Sequence, residues 1–163
     1  MGLIGNENPE VNDADIIDID LQPIKKKRFR INGDSTKILM LNTSDVNIVS
    51  RLNKIYPKLQ KLAEEAVDFS SDELEDNSEE GLAKFAAKLD TIDGKMSKLI
   101  DELFDANVSE VCKDGGSMYD PFDGMFRFEH IITSLSKLYE NNFDKEFSKI
   151  RQRVDKHTSK YIK

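Results

Sequence analysis

The sequence predicts a mainly α-helical (α+β) fold, in which an N-terminal β-hairpin or small antiparallel sheet precedes a bundle of about four helices. Two observations carry this prediction. An Asn-Gly pair at 32–33 separates two β-prone runs, and later stretches repeat apolar residues at helical spacing. The 163 residues suit one domain, and 34% of them are charged. This composition is typical of helices with narrow apolar stripes.

The first predicted element is a β-hairpin within residues 15–42. A type I′ turn needs positive φ at both central residues, which Asn32 and Gly33 tolerate. The predicted arms are Ile24–Ile31 and Ser35–Leu41.

The residues before the hairpin also have a strand-like pattern. In Asp15–Leu21 apolar residues alternate with aspartates, so one face would be apolar and the other acidic. The basic run Lys25–Arg30 follows. It could pair with the acidic face, be offered to a partner by strand addition, or stay solvated like that face.

The second predicted element is a kinked helix over residues 44–67. Polar residues at 42–45 provide N-cap chemistry, and apolar residues then recur every three or four positions up to Ala66. Pro57 removes a helical hydrogen bond, which predicts a kink or a short break near Tyr56. The apolar phase continues past Pro57, which favours the kink.

A third helix is predicted over residues 81–105, after an acidic linker at 68–80 that holds seven acids and no base. This helix carries a regular apolar stripe, which favours packing inside a bundle. The alternative is a partner groove or a homo-oligomer seam. The candidate partner-binding residues on the stripe are Leu89, Ile92, Met96, Leu99 and Leu103.

The remaining segments are predicted with less regular patterns. Residues 106–124 combine turn signals with apolar residues, which indicates a packed loop. Residues 125–163 form a C-terminal helical region whose end is basic. Residues 1–14 are polar and contain Gly and Pro, which predicts a flexible N-terminal arm before a single domain at 15–163.

Charge and hydropathy exclude several classes of function. The net charge is −7, which argues against nucleic-acid binding because that requires a basic face. No apolar run approaches the roughly 20 residues that span a bilayer, so no membrane association is expected. A single cysteine, Cys112, excludes an internal disulfide and fits a reducing cytoplasm.

Residues for catalysis or cofactor binding are scarce. The two histidines, His130 and His157, border separate apolar stripes, where packing is the expected role. Together with Cys112 they supply at most three zinc ligands, without recognisable spacing. Cys112 would be a nucleophile only if a histidine folded beside it. No phosphate-binding or dinucleotide motif occurs, so the sequence predicts a non-enzymatic binding protein without a cofactor.

Four short stretches carry a resemblance to a known family. They are KKKRFRINGD at 25–34, LNTSDVNIVSRLNKIYPKLQKLAEEA at 41–66, NVSEVCKDGGSMYDPFDGMFRFEHI at 107–131 and KHTSKYIK at 156–163. They resemble tail assembly chaperone-like proteins of long-tailed phages that infect Gram-positive bacteria. The resemblance covers roughly residues 15–163.

This resemblance implies a specific role. Such chaperones bind the tape measure protein, a very long helical protein, and keep it soluble while tail tube subunits polymerise around it. The implied location is the host cytoplasm during phage assembly, and the implied partners are the tape measure protein and possibly the tail tube protein. A longer frameshifted form, with an extra C-terminal domain, is common in the family; this chain would be the shorter form.

Other functions stay open at the level of sequence. One is a structural virion protein of the tail or head–tail region, and another is a phage-encoded regulator that docks on a host protein. A homo-oligomer is compatible with each of these roles.

Overall fold

The computed structural model describes residues 13–73, 78–139 and the single position 152. After a 3-10 turn at Asp13–Asp15, the elements are β1 (Lys27–Ile31), β2 (Asp34–Leu41), α1 (Ile48–Glu73), α2 (Glu79–Phe104), α3 (Val108–Cys112), β3 (Pro121–Phe122), β4 (Met125–Phe126) and α4 (Arg127–Ser136). A two-stranded antiparallel sheet followed by four helices confirms the predicted mainly α (α+β) class.

The hairpin turn lies where the sequence predicts it. Asn32 and Gly33 have φ values of 52° and 73°, the positive values that a type I′ turn requires. Strand β1 pairs with β2 in antiparallel register, with Arg30 opposite Ile38. The register shifts after Arg30, so Ile31 faces Asp34 across the turn.

The strand predicted at Asp15–Leu21 is wrong. Residues 16–26 belong to neither sheet and contain no turn or bend, and the sheet of the hairpin consists of β1 and β2 alone among the described residues. The alternating pattern needs a neighbouring edge to form a ladder. A segment that leads into β1 without a turn or a bend cannot fold back onto the same strand.

Helix α1 begins later than the predicted start at residue 44. The Asn42 side-chain oxygen accepts a hydrogen bond from the Ser44 amide at 3.1 Å, and the Asp45 carboxylate accepts one from the Asn47 amide at 2.9 Å. These bonds from side chain to backbone stabilise turns in place of helix. The first helical residue is therefore Ile48.

Helix α1 also passes Pro57 and the predicted end at residue 67. It is one helix from Ile48 to Glu73, so the alternative of a break at Tyr56 is wrong. The predicted acidic linker at 68–80 is helical up to Glu73. Extension of a helix that already exists costs little, because each added residue gains a hydrogen bond.

Helix α2 has well-defined ends that match the prediction closely. The Ser78 hydroxyl accepts a hydrogen bond from the Gly81 amide at 2.9 Å, which caps the first turn. Asp105 adopts the left-handed conformation, with φ 51°, and ends the helix.

The segment at 106–124 is packed, as predicted, but it is not all loop. It contains helix α3 and strand β3, and Val108 and Met118 are fully buried. The Asp101 carboxylate accepts hydrogen bonds from the amide and the hydroxyl of Ser109, which fixes the start of α3. The cap of α3 is thus supplied by another helix, and the turn signals in the sequence gave no indication of it.

One hydrophobic core joins the hairpin to all four helices. Tyr56 of α1 and Phe128 of α4 are among its largest fully buried side chains, and their ring centroids lie 6.1 Å apart. Leu39 and Leu41 enter the core from β2, Met96 from α2 and Val111 from α3. Arg51 on α1 adds a polar tie, because its Nε donates to the Leu103 carbonyl oxygen at 2.9 Å.

The C-terminal helical region predicted at 125–163 is described only in part. Helix α4 ends at Ser136, and His157 and the basic end, apart from position 152, lie outside the described residues. Of the flexible N-terminal arm predicted at 1–14, residues 1–12 also lie outside them, whereas residues 13 and 14 belong to the 3-10 turn. In the part of the chain that is described, no helix is both long enough and apolar enough to cross a membrane.

Candidate binding surfaces

The first candidate surface is a groove between α1 and α2, with a volume of about 420 Å³. Ala87, Thr91 and Ile92 of α2 line it, together with the charged side chains of Glu65, Lys88 and Lys95. Ile92 is only 4% exposed and therefore lies at the bottom. An apolar floor with charges of both signs around it is the arrangement that receives an amphipathic helix.

The predicted client-binding residues are distributed between the core and this groove. Ile92, Met96 and Leu103 are buried in the core, while Leu89 and Leu99 are partly buried and pack against it. Ile92 alone of these lines the groove. Client binding by the stripe stays a prediction, and for Met96 and Leu103 it would require the core to open.

The second candidate surface is a pocket of about 340 Å³ between the turn end of β1 and α4. Arg30, Arg127 and His130 contribute cationic or titratable groups to its lining, and no described acidic side chain lines it. Ile31, Ile131 and Leu135 supply apolar surface. The pocket is therefore suited to an acidic and apolar ligand, within a chain that is itself acidic.

Two groups that line this pocket are held in place by backbone oxygens. The Arg127 guanidinium donates to the Cys112 carbonyl oxygen at 2.8 Å, and His130 Nε2 lies 2.6 Å from the Phe122 carbonyl oxygen. Arg127 Nε is buried and has no hydrogen-bond partner among the described residues. The second strand pair, β3 and β4, thus positions His130 through Phe122.

Cys112 and His130 line the same pocket but do not form a nucleophilic pair. The His130 Nε2 atom faces the Phe122 carbonyl oxygen instead of the thiol. Burial raises the pKa of Cys112, so the neutral thiol is favoured over the thiolate that catalysis needs. Among the described residues no group of three or more His, Cys, Asp and Glu side chains could hold a metal ion.

The third candidate surface is the segment at residues 14–26, named here the acidic arm. It carries five exposed apolar side chains with these exposed fractions: Ile16 51%, Ile17 87%, Ile19 77%, Leu21 82% and Ile24 73%. Asp15, Asp18 and Asp20 alternate with them and are also exposed. An apolar row of this length on a protein surface indicates an interaction site.

The fourth surface is the outer edge of β1, named here the basic edge. Arg28 and Arg30 are exposed, whereas Phe29 and Ile31 are partly buried against the core. No described strand pairs with this edge, because the sheet contains only β1 and β2. An unpaired edge presents backbone donors and acceptors to a further strand.

Comparisons with known proteins found no matching family model, no matching curated protein and no matching solved structure.

Sequence reasoning located the acidic arm and the basic edge but missed the groove and the pocket. Arg30 and Arg127 meet at one pocket although 96 residues separate them in the chain. The groove likewise combines Glu65 of α1 with residues of α2 from Ala87 to Lys95. Periodicity identifies faces of single elements, and it carries no signal for how two elements cross.

Proposed function

We propose that this protein is a non-enzymatic tail assembly chaperone of a long-tailed phage, which binds the tape measure protein and keeps it soluble in the host cytoplasm during assembly of the tail tube. The identity of the client comes from the family resemblance. The mode of binding comes from the groove between α1 and α2.

The groove is the observation that supports this role. A tape measure protein is a long helical client, and an amphipathic helix places apolar side chains at every third or fourth position on one face. Ala87, Thr91 and Ile92 offer a small and partly apolar floor to such a face. Glu65 and Lys95 can meet client charges of either sign at the rim.

Weak binding is sufficient for this task. Many copies that bind along one long client hold it by multivalency, and each copy can still dissociate when the tube replaces it. A net charge of −7 per copy keeps the assembled complex soluble.

The direct test is co-expression with the tape measure protein of the same genome. We expect the client to become soluble and to co-purify with this chain. If the client stays insoluble and never co-purifies, the proposal fails.

A matched pair of variants tests the groove. Ala87→Glu places a charge in the groove and should abolish co-purification, because docking of an apolar helix face would then remove a carboxylate from water. Ala86→Glu makes the same change at an exposed neighbour outside the groove lining and should bind as wild type does. Equal binding by both variants would contradict the groove as the client site.

Purified particles separate this function from that of a structural virion protein. A chaperone leaves before the tail is complete, so mass spectrometry of mature virions should detect none of this chain. A stoichiometric amount in the virion would contradict the proposal.

A further inference from the structure

We propose that the acidic arm of one copy of this chain adds as a strand to the basic edge of a second copy. The chain would therefore associate with itself through residues 15–21 and β1. This inference does not depend on the proposed client, and its test contains no tape measure protein.

The side-chain alternation of the two segments matches. In a sheet, opposed residues on neighbouring strands project from the same face. An antiparallel register that places Asp18 opposite Arg30 also places Asp20 opposite Arg28. The acids and the arginines then share the exposed face of the sheet, where they form two pairs of opposite charge.

The other face matches as well. The same register places Ile17 opposite Ile31 and Ile19 opposite Phe29. Both β1 residues are partly buried and pack against the core. The two isoleucines, which are 87% and 77% exposed in the single chain, would extend this apolar face and leave water.

The pocket beside the turn end of β1 continues this complementarity. Beyond Ile17, the arm carries Ile16 and Asp15 past Ile31 towards that end of the strand. Arg127 and His130 line the pocket there, with Ile131 and Leu135. An acidic and apolar arm thus meets a cationic and apolar pocket on an otherwise acidic protein.

The geometry of the acidic arm favours pairing with β1 of a second copy over pairing with β1 of the same chain. Residues 16–26 run into β1 without a turn or a bend, so the arm leads away from its own strand. Eleven extended residues reach at most about 35–40 Å, which is sufficient to cross to a neighbouring molecule. Each copy offers one arm and one edge, so exchange closes a two-fold dimer or continues head to tail.

The first measurement is the mass of the full chain in solution over a range of concentrations, by light scattering after size exclusion. We expect association that increases with concentration and weakens with salt, because pairs of opposite charge at a surface are screened. A chain that stays monomeric up to its solubility limit overturns the proposal.

Apolar variants test the arm itself. Replacement of both Ile17 and Ile19 by Ser should weaken association by at least about tenfold in the dissociation constant, because the added strand then loses the two apolar side chains opposite Phe29 and Ile31. The control is Val46→Ser, which removes an apolar side chain that is 65% exposed and lies outside the arm. It should associate as wild type does, and equal loss in both would contradict the arm as the contact.

Charge reversal distinguishes a second copy from closure within one chain. An arm variant (D18R with D20R) and an edge variant (R28D with R30D) should each lose self-association, whereas a mixture of the two should form a hetero-oligomer. Hydrogen exchange should then show slower exchange of the β1 amides that do not bond β2 in the mixture than in either variant alone. Protection of the arm in monomeric wild-type chain, or a mixture that stays monomeric, overturns the proposal.

Discussion

Glu129 is an acidic side chain in the middle of the core, with no exposed surface. Its carboxylate accepts a hydrogen bond from the Tyr56 hydroxyl at 3.0 Å and one from the Phe126 amide, also at 3.0 Å. It therefore joins α1 to the start of α4, and its two partners would lose an acceptor if it were shortened. A buried polar group of this kind is stabilising only while its hydrogen bonds are made.

Glu129→Ala should lower the free energy of unfolding by about 2–4 kcal/mol, because it leaves a cavity and removes the acceptor of two buried donors. Glu129→Gln keeps the shape and one acceptor oxygen, so its loss should be smaller. Urea denaturation of the three proteins measures the difference. A wild-type midpoint for the alanine variant would show that the network contributes nothing.

The free energy of unfolding should fall in alkali because of two buried groups, Cys112 and Tyr139. Burial raises the pKa of both groups above their ordinary values of 9.0 and 10.0. Each group contributes its full stability at a pH below its pKa in the unfolded chain. This contribution is lost as the pH rises towards the higher pKa of the folded chain, because the unfolded chain releases the proton first. The slope is at most about 1.4 kcal/mol per pH unit for each group.

The free energy of unfolding measured between pH 8 and pH 11 (roughly one unit either side of the two ordinary pKa values) tests this. Cys112→Ala and Tyr139→Phe should each have a shallower decline than wild type, although both begin less stable. Parallel curves for all three proteins would show that these groups do not cause the pH dependence.

At the scale of single elements, two glycines have opposite roles. Gly33 has a positive φ of 73° in the hairpin turn, where an L side chain is strained. Gly94 lies in α2 with no atom within 4 Å of a Cβ placed on it. Substitution by alanine should therefore change stability in opposite directions at the two sites.

Gly33→Ala should destabilise the chain by about 1–2 kcal/mol, the cost of a left-handed conformation for a residue with a Cβ. Gly94→Ala should stabilise it by about 0.5–1 kcal/mol, because alanine loses less backbone entropy in a helix. Thermal unfolding of both variants gives the two signs directly. A change of the same sign at both positions would contradict the assigned backbone conformations.

Helix α1 contains an internal proline without a break. Pro57 is exposed, and it cannot donate the hydrogen bond that residue 57 would otherwise make to the carbonyl of Asn53. The helix continues because Ile55, Tyr56 and Leu59 around the proline are buried in the core. Tertiary packing thus offsets an unfavourable local residue.

Pro57→Ala should raise the free energy of unfolding by about 1–3 kcal/mol, since it restores the missing hydrogen bond and removes no buried side chain. The greater freedom of the unfolded variant reduces this gain. Lys58→Ala at the exposed neighbour is the control and should change stability little. A less stable Pro57→Ala variant would show that the fold needs the proline.

At the scale of the whole molecule, one core connects the hairpin with the four helices. Leu39, Met96, Val111 and Phe128 belong to the same buried cluster, although they lie on different elements. No described element has a separate core that could fold alone. Cooperative unfolding is the expected consequence.

Far-UV circular dichroism and tyrosine fluorescence should therefore give the same urea midpoint. Met96→Ala should lower the free energy of unfolding by about 2–5 kcal/mol, because loss of this fully buried side chain leaves a cavity. Both midpoints should fall together. Leu82→Ala removes a side chain that is 49% exposed, so a much smaller loss is expected. Separate midpoints for the two probes would show that part of the chain unfolds independently.

The features that the sequence alone determined are those that depend on neighbouring residues. Asn32 and Gly33 specify the turn because both accept positive φ, and the apolar spacing in α1 and α2 specifies which faces are buried. The start of α1 was less predictable, because the side chains of Asn42 and Asp45 form turns where an N-cap was expected. The run Asp15–Leu21 has a strand pattern, but a strand also needs an edge, and no described edge of the chain receives it.

Only the tertiary structure decided two of the four candidate surfaces, the groove and the pocket. The groove between α1 and α2 and the pocket beside β1 each combine residues that are distant in the chain, such as Arg30 with Arg127. Their positions follow from how helices and the hairpin pack around Tyr56, Met96 and Phe128. Local sequence patterns record the face of each element, whereas packing between elements is set by the shapes of side chains that meet only after the chain has folded.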